Sequence, residues 1–230
     1  MSAHPNLDVL HVDNHVLVVA KRAGVPTVPD ASGDESLLER AKAWIAVEYD
    51  KPGNVFLGVV QRLDRPVSGV LCFARTSKAA DRLTRQLKQK RMTKRYLAVA
   101  GAWRAESEGT LEQWLVKDRQ RNRVTVHASE VPEAKCAETR WRVLAKMSDR
   151  TLIELEPVTG RPHQLRVACA TLGAPLLGDV KYGAPSPLPD KSVALHARTL
   201  ELDHPTRDER LRFELDPPKG APWRGFDAAR

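Results

Sequence analysis

The chain has 230 residues, 42% of them hydrophobic and 29% charged, which is ordinary for a globular protein with a substantial core. No apolar run approaches the ~20 residues that a membrane-spanning helix requires. Pro5 and Asp8 stand where an export signal would place its apolar stretch, so no such signal is expected. The three cysteines are widely spaced without a C-x-x-C pair, which argues against a zinc ribbon and fits a reducing cytoplasm.

The net charge is +8, and the excess of positive charge is concentrated in two segments. Nine basic residues and a single acid, Asp81, lie between Arg75 and Arg95, and a second basic run covers residues 117–123. Such patches suit a polyanion, because each neutralised phosphate releases counterions. A solvated helix face and a solvated loop would carry the same charges, so charge alone leaves both interpretations open.

The strands are predicted from alternating or continuous apolar runs. Residues 7–20 alternate apolar and polar side chains around Asp13-Asn14, which is typical of a β-hairpin. Further strands are predicted at Val55–Val60, Val70–Ala74, Lys94–Ala100, Arg123–His127, Thr139–Ala145, Thr151–Glu156, Leu195–Leu202 and Leu211–Leu215. Strands outnumber helices and are not joined by regular β-α-β units, so the sequence predicts an α+β fold with a largely antiparallel sheet.

Two early helices are predicted from capping signals and helical spacing. Ser32 and Glu35 have the spacing of a capping box, ahead of a helical pattern over residues 37–45. Thr76 or Ser77 is expected to cap the second helix, whose remaining positions carry most of the first basic segment.

A third helix is predicted late in the chain. Pro162 suits its first turn and Gly173 its C-terminal stop. The Pro-rich tail from Asp216 is expected to pack loosely. No internal repeat or linker divides the chain, so residues 1–230 are predicted to form one domain.

Asp64 is the first candidate for chemistry. It lies in the polar stretch Gln61-Arg62-Leu63-Asp64-Arg65-Pro66-Val67-Ser68-Gly69, between two predicted strands. The two flanking arginines favour the ionised carboxylate, which can act as a nucleophile or stabilise a cationic sugar. A structural ion pair would have the same sequence.

Two other segments combine basic and hydrogen-bonding side chains. Gly160-Arg161-Pro162-His163-Gln164-Leu165-Arg166 opens the late helix, where a helix N-terminus favours anions. Lys94-Arg95-Tyr96-Leu97-Ala98-Val99 places a tyrosine between basic residues on a strand, where it can stack on a base. A helix cap with surface arginines and a core tyrosine are the corresponding structural explanations.

Taken together, these segments closely resemble the RluA-type pseudouridine synthases. That family carries an H-R-L-D-R-x-(T/S)-S-G loop, a K-x-Y-x-A strand, and G-R-x-H-Q-(I/L)-R followed by L-G-x-P-(I/L)-x-G-D-x-x-Y-G. The last motif corresponds here to Leu172-Gly173-Ala174-Pro175-Leu176-Leu177-Gly178-Asp179-Val180-Lys181-Tyr182-Gly183. The Lys21-Arg22-Ala23-Gly24 turn and the Leu195-His196-Ala197 and His204-Pro205 segments also match, so the resemblance runs from about residue 9 to residue 218.

The resemblance implies a central, mostly antiparallel mixed sheet flanked by helices and loops, with a catalytic cleft across it. It implies that Asp64 is the catalytic aspartate, that Tyr96 packs against the target base and assists catalysis, and that Arg166 pairs with Asp64 as a third catalytic residue. Arg62 would help to open the RNA, and Leu165 would line the base pocket. The expected substrate-binding residues are Arg62, Leu63, Arg65, Lys94, Arg161, His163, Gln164 and Leu165.

Three departures from the family pattern flank these positions. Gln61 stands where the family usually has His, Ala168 and Thr171 stand where many members have His, and Arg22 replaces a Pro. They affect the expected choice of RNA more than the chemistry. The S4 RNA-binding domain of many members is not expected, because the match begins almost at once.

The implied reaction isomerises uridine to pseudouridine in structured ribosomal or transfer RNA. It involves no redox change and no transferred group, so neither cofactor nor metal is expected, and the protein is expected to be a cytoplasmic monomer with RNA as its partner. One alternative is an inactive RNA-binding or ribosome-assembly protein on the same fold, which would not need Asp64, Tyr96 and Arg166 together. Another is a glycoside or nucleoside hydrolase, which would usually need two facing carboxylates.

Overall fold

Residues 6–226, the part of the chain that the computed structural model describes, form three α-helices and eleven β-strands. The helices are α1 (Leu37–Glu48), α2 (Ser77–Lys88) and α3 (Gln164–Thr171). The strands are β1 (Asp8–Val12), β2 (Val16–Lys21), β3 (Gly58–Val59), β4 (Ser68–Ala74), β5 (Thr93–Ala100), β6 (Glu108–Asp118), β7 (Arg123–His127), β8 (Lys135–Lys146), β9 (Thr151–Pro157), β10 (Leu195–Asp203) and β11 (Arg210–Glu214).

The chain divides into two structural units, and β10 passes from one to the other. Unit 1 contains Met1–Thr93 and Thr199–Leu215, and unit 2 contains Lys94–Arg198 and Asp216–Arg230. The single catalytic domain expected over 1–230 stays a prediction. Among the described residues, no helix is both long and apolar enough to cross a membrane.

Unit 1 is built on antiparallel pairs around the buried strand β4. The predicted hairpin forms as β1 and β2, all six residues of β2 pair with residues 69–74 of β4, and β10 pairs with β11. All seven residues of β4 are buried, because its apolar run is covered on both faces. The predicted strand 55–60 shortens to β3, which meets β4 only at Phe73 and Ala74.

The N-terminus of α1 lies one turn later than the capping box predicted at Ser32 and Glu35. The observed box uses Ser36, whose Oγ accepts the Glu39 N–H at 3.2 Å, while the Glu39 carboxylate accepts the Ser36 N–H at 2.8 Å. Ser32 instead bonds to Asp30. Since both Ser-x-x-Glu frames precede the same apolar pattern, the sequence did not distinguish them. The cap of α2 is Thr76, one of the two residues predicted.

Unit 2 is an antiparallel sheet in the order β5, β9, β8, β6 and β7. Strand β6 was not predicted, and with β7 it forms a hairpin whose tip, residues 119–122, lies within the basic run 117–123. The predicted antiparallel character of the α+β fold is confirmed by these pairs and by those of unit 1.

Two predictions need correction, one about the start of α3 and one about the C-terminal tail. Pro162 lies before α3 rather than in its first turn, because the helix begins at Gln164; Gly173 follows the helix as predicted, with φ +79°. The tail does not pack loosely within the described residues, since Trp223 and Phe226 are buried in the core of unit 2 with Leu97 and Leu152. Their burial removes a large apolar area from water, which anchors the segment. Residues 1–5 and 227–230 of the terminal segments discussed above lie outside the described part.

Candidate active site

Asp64 lies in the loop that joins β3 to β4, and its neighbours hold that loop by backbone contacts. The Val67 N–H donates to the Asp64 carbonyl at 3.0 Å, which closes a four-residue turn. The preceding residue, Leu63, is buried, and both its N–H and its carbonyl bond to the Thr27 hydroxyl, at 3.2 and 2.8 Å. Asp64 itself is half-buried. The loop therefore presents the carboxylate from a fixed backbone.

Lys21 is a buried cation beneath this loop that the sequence reasoning did not assign to the site. It is 1% exposed, and its ammonium donates to the carbonyls of Val67, Arg65 and Arg22 at 2.7, 3.1 and 3.2 Å. Burial lowers the pKa of Lys21 to about 7, while the negative charge of Asp64 raises it and the positive charge of Arg65 lowers it. The match of Lys21 to the early family turn was the signal that could have identified it.

The two arginines that flank Asp64 in the sequence, Arg62 and Arg65, have different surroundings in the structure. Arg65 makes an ion pair with Asp34, and its carbonyl accepts the Gly24 N–H at 2.8 Å. Arg62 is exposed, as a residue that contacts RNA would be. Lys21 is therefore a charge that interacts with Asp64 although it is distant in sequence.

Lys94 and Tyr96 project from the same face of β5, because they are two residues apart on a strand. Tyr96 is buried and lies opposite Leu155 of β9. Burial lowers the pKa of Lys94. A phosphate placed beside this amine would favour its charged form, which suits the predicted contact with RNA.

The 160–166 segment is held by Gln164, whose amide uses its full hydrogen-bonding capacity inside unit 2. Its Oε1 accepts from Thr159 Oγ1 and the Arg161 N–H at 2.8 and 3.0 Å. Its Nε2 donates to the Glu138 carbonyl and to Thr139 Oγ1 at 2.8 and 3.0 Å. Gln164 thus shapes the loop, and direct contact between this amide and RNA stays a prediction.

Arg161 and Leu165 flank this anchor on either side. The Arg161 side chain donates from Nε to the Cys136 carbonyl at 2.9 Å, so part of its guanidinium also serves the loop. Leu165 is buried, at 6% exposure, which is compatible with the apolar wall expected of it. Their contacts with substrate stay predictions.

His163 precedes α3 with a left-handed backbone, φ +53°, and joins the loop to two other elements. Its Nε2 lies 3.1 Å from Lys117 Nζ and its Nδ1 lies 2.6 Å from Tyr182 Oη. An ammonium has only donors, so Nε2 accepts and the proton belongs on Nδ1, which donates to Tyr182. The Tyr182 oxygen also accepts the Val124 N–H at 2.9 Å.

Arg166 forms a buried ion pair with Asp179 in unit 2. The guanidinium donates from Nε to Oδ2 and from Nη2 to Oδ1, both at 2.7 Å. Asp179 was quoted in the family motif but given no role in the sequence analysis. The pairing of Arg166 with Asp64, which the resemblance implies, stays a prediction.

Three of the four residues that depart from the family pattern have identifiable surroundings in the structure, and nothing in the structure explains Gln61. Ala168 is fully buried in α3. The Thr171 hydroxyl accepts from Gln113 Nε2 at 2.8 Å, so it ties α3 to β6. Arg22 makes an exposed ion pair with Asp8.

The comparisons with known proteins identify the family. A family model described as RNA pseudouridylate synthase matches residues 15–171. The chain is 36% identical over 214 residues to "Uncharacterized RNA pseudouridine synthase YhcT" of Bacillus subtilis (strain 168), covering 90% of this chain and 68% of the relative. It is 35% identical over 219 residues to "Dual-specificity RNA pseudouridine synthase RluA" of Haemophilus influenzae, covering 91% and 92%.

A solved structure supports the same assignment. "Human RNA Pseudouridylate Synthase Domain Containing 1" gives a TM-score of 0.73 at 28% identity, covering 95% of this chain and 86% of that one. The chain belongs to the RNA pseudouridylate synthase family. The predicted fold and enzyme class, an isomerase that acts on uridine in RNA, are confirmed.

Proposed function

We propose that the protein isomerises specific uridines in structured ribosomal RNA, transfer RNA or both, with Asp64 as the essential carboxylate. Membership of the family carries this proposal, and the name of the Haemophilus influenzae relative, which states dual specificity, supports more than one class of target. The hydrogen-bonded backbone of the Asp64 loop supports the role of its side chain, because a catalytic group needs a fixed backbone.

The reaction balances without any external reagent. The N1–C1′ bond of uridine breaks, the base turns within its pocket, the C5–C1′ bond forms, and the C5 proton is released while N1 gains one. Asp64 supplies negative charge for this rearrangement as a nucleophile or as a base towards the ribose. Tyr96 packs against the base, Leu165 lines its pocket, and Arg166 acts on the reacting carboxylate.

The target base must leave its stack before it can react, and that costs a few kcal/mol. Arg62, exposed beside Asp64, fills the space that the base leaves, and phosphate contacts offset the energy of opening. The substrate contacts proposed for Leu63, Arg65, Lys94, Arg161 and His163 follow from the resemblance. We further propose that the protein is a cytoplasmic monomer. The free thiols Cys72, Cys136 and Cys169 support the cytoplasmic location.

The test of the proposed function is pseudouridine mapping in cells with and without this gene, across ribosomal and transfer RNA. We expect one or a few positions to lose the modification and to regain it with the wild-type gene but not with the Asp64→Asn gene. Purified protein should then modify the same position in a transcript. An unchanged map, together with no product on bulk RNA in vitro, would contradict the proposal.

Activity should survive exhaustive chelation and need no added nucleotide. The isomerisation transfers no electrons between substrate and enzyme, and no group of three potential metal-ligating side chains occurs within residues 6–226. The measurement is product formed after dialysis against EDTA, compared with the untreated enzyme. Loss of activity that one metal restores, at constant RNA structure, would contradict this expectation.

Charge reversal of Arg85 and Lys88 should weaken RNA binding roughly tenfold at moderate salt and lower the salt dependence of binding by about two phosphate contacts. Both are exposed on the outer face of α2, whose opposite face packs Ala79 and Leu83 into the core. The single-turnover rate at saturating RNA should stay within about twofold, because phosphate contacts position the substrate.

The control variant reverses the charges of Lys42 and Lys51. It changes the net charge of unit 1 by the same amount as the Arg85 and Lys88 variant does. Equal weakening by both double variants would show a general effect of charge. Unchanged affinity of the Arg85 and Lys88 variant would make the outer face of α2 only a solvated surface.

A further inference from the structure

The guanidinium of Arg166 is bound at one edge by the carboxylate of Asp179. Two parallel bonds of 2.7 Å join the pair, and the side chains are 7% and 1% exposed. Such a two-pronged contact fixes both the plane and the direction of a guanidinium, which a single bond would leave free to rotate.

The turn that carries Asp179 is itself fixed. The Asp179 carbonyl accepts the N–H groups of Tyr182 and Ala184 at 3.0 and 3.1 Å. Gly178 has φ +83°, and a Cβ at this position would lie 2.5 Å from the Ser192 carbonyl oxygen. Only glycine fits there, so the turn delivers the carboxylate from one defined backbone conformation.

The same turn places an aromatic ring beside the guanidinium. The Arg166 Cζ lies over the Tyr182 ring, 5.2 Å from its centroid. The ring is held at its hydroxyl by His163 and by the Val124 N–H. The arginine therefore has a carboxylate in its plane and a ring near its face, both provided by residues 179–182.

A guanidinium has five N–H donors, and the two bonds to Asp179 use one edge of it. The directions of the other donors follow from the position of that edge. A buried ion pair contributes little net stability compared with apolar side chains of the same size, so stability alone is a weak reason for this arrangement.

We propose that Asp179 is a positioning residue for the reaction, which sets the direction in which Arg166 presents its remaining donors. The proposal rests on the proposed function, in which Arg166 is a catalytic residue. Asp179 acts through Arg166 and has no contact of its own with the uridine. Loss of Asp179 therefore affects the rate of the chemical step only while Arg166 is present.

The experiment is a double-mutant cycle on the full chain with Asp179→Asn, Arg166→Met and both together. Single-turnover rates are measured at saturating RNA, and RNA affinity is measured separately. We expect Asp179→Asn to lower the rate at least about tenfold with affinity within about threefold. In the Arg166→Met background the same change should have less than about a threefold effect, because residues that act as one unit are not additive.

Asp216→Asn is the matched control. Asp216 also pairs with an arginine of unit 2, Arg198, but the Asp216 side chain is exposed. The Asp216→Asn variant should keep the wild-type rate. Thermal unfolding shows whether each variant is folded. If Asp179→Asn is not folded, the cycle is repeated with Asp179→Glu, which keeps the charge but cannot keep both 2.7 Å bonds, and at least a threefold loss of rate is expected.

Two results would overturn the proposal. One is a folded Asp179 variant that keeps the wild-type rate. The other is a full additional loss from Asp179→Asn in the Arg166→Met background, which would show that Asp179 acts independently of Arg166.

A spectroscopic readout separates this proposal from the proposed function. In ¹⁵N-edited spectra the Arg166 Nε–H should give a slowly exchanging signal that Arg166→Met removes and Asp179→Asn broadens or shifts. If the wild type makes no pseudouridine, the proposed function fails, and with it the catalytic part of this proposal, although the signal still reports the positioning. If the wild type is active and the signal is unaffected by Asp179→Asn, the positioning role alone fails.

Discussion

Replacing Asp64 by Asn is expected to lower the single-turnover rate of pseudouridine formation by at least about 10⁴-fold, the order seen when a nucleophile or a general base is removed. Asn has almost the same shape, so the turn closed by the Asp64 carbonyl and the Val67 N–H should remain. The amide has no negative charge and cannot accept a proton at neutral pH. RNA affinity should change by less than about threefold, which locates the effect in the chemical step.

Asp50→Asn is the matched control for this experiment. Asp50 is exposed in the same unit, and its φ of +44° lies in the left-handed region, which Asn tolerates well. It removes one negative charge without touching the loop, so activity should be unchanged. Residual turnover of Asp64→Asn within about tenfold of the wild type would remove Asp64 from the mechanism.

Features fixed by short stretches of sequence were the ones that could be predicted. The β1–β2 hairpin, the Thr76 cap and the Gly173 stop each depend on residues a few positions apart. Strand β6 was missed because its buried face carries Gln113, which interrupts the apolar alternation; the partner that satisfies this amide, Thr171, is 58 residues away.

The candidate site shows the same difference between features set by nearby residues and features set by distant ones. Asp64 and Arg166 could be proposed as site residues from local motifs, whereas their long-range contacts, such as those of Arg166 with Asp179, could not be predicted. Lys21 contacts Val67 at a separation of 46 residues, and the loop of Asp64 also bonds to Thr27. Only the folded chain shows that Lys21 is buried under that loop.

Lys21→Met is expected to lower the free energy of unfolding by about 3–5 kcal/mol and to slow the chemical step at least tenfold. The variant keeps an unbranched side chain but leaves the carbonyls of Arg22, Arg65 and Val67 without their donor, and buried unsatisfied acceptors cost about 1–3 kcal/mol each. Relaxation of these carbonyls shifts the Asp64 turn, and a displacement of about 1 Å at a catalytic group can cost ~10²-fold. Lys51→Met, an exposed change in the same unit, should alter stability by less than about 0.5 kcal/mol.

The difference in stability between the wild type and Lys21→Met should grow as the pH rises from 7 to 9. The pKa of Lys21 is about 7 in the folded protein, below the 10.5 that is ordinary for lysine and that it regains on unfolding. Between these values the unfolded chain holds one more proton than the folded chain, so raising the pH stabilises the folded wild type. Lys21→Met lacks this group. Between pH 7 and 9 the free energy of unfolding of the wild type should therefore rise by up to about 2 kcal/mol relative to that of the variant. Below pH 7 the ammonium is charged in both states and the difference should level off. Denaturant unfolding of both proteins at pH 6, 7, 8 and 9 measures this, and a difference that stays constant across the series would show that Lys21 keeps its proton under the Asp64 loop.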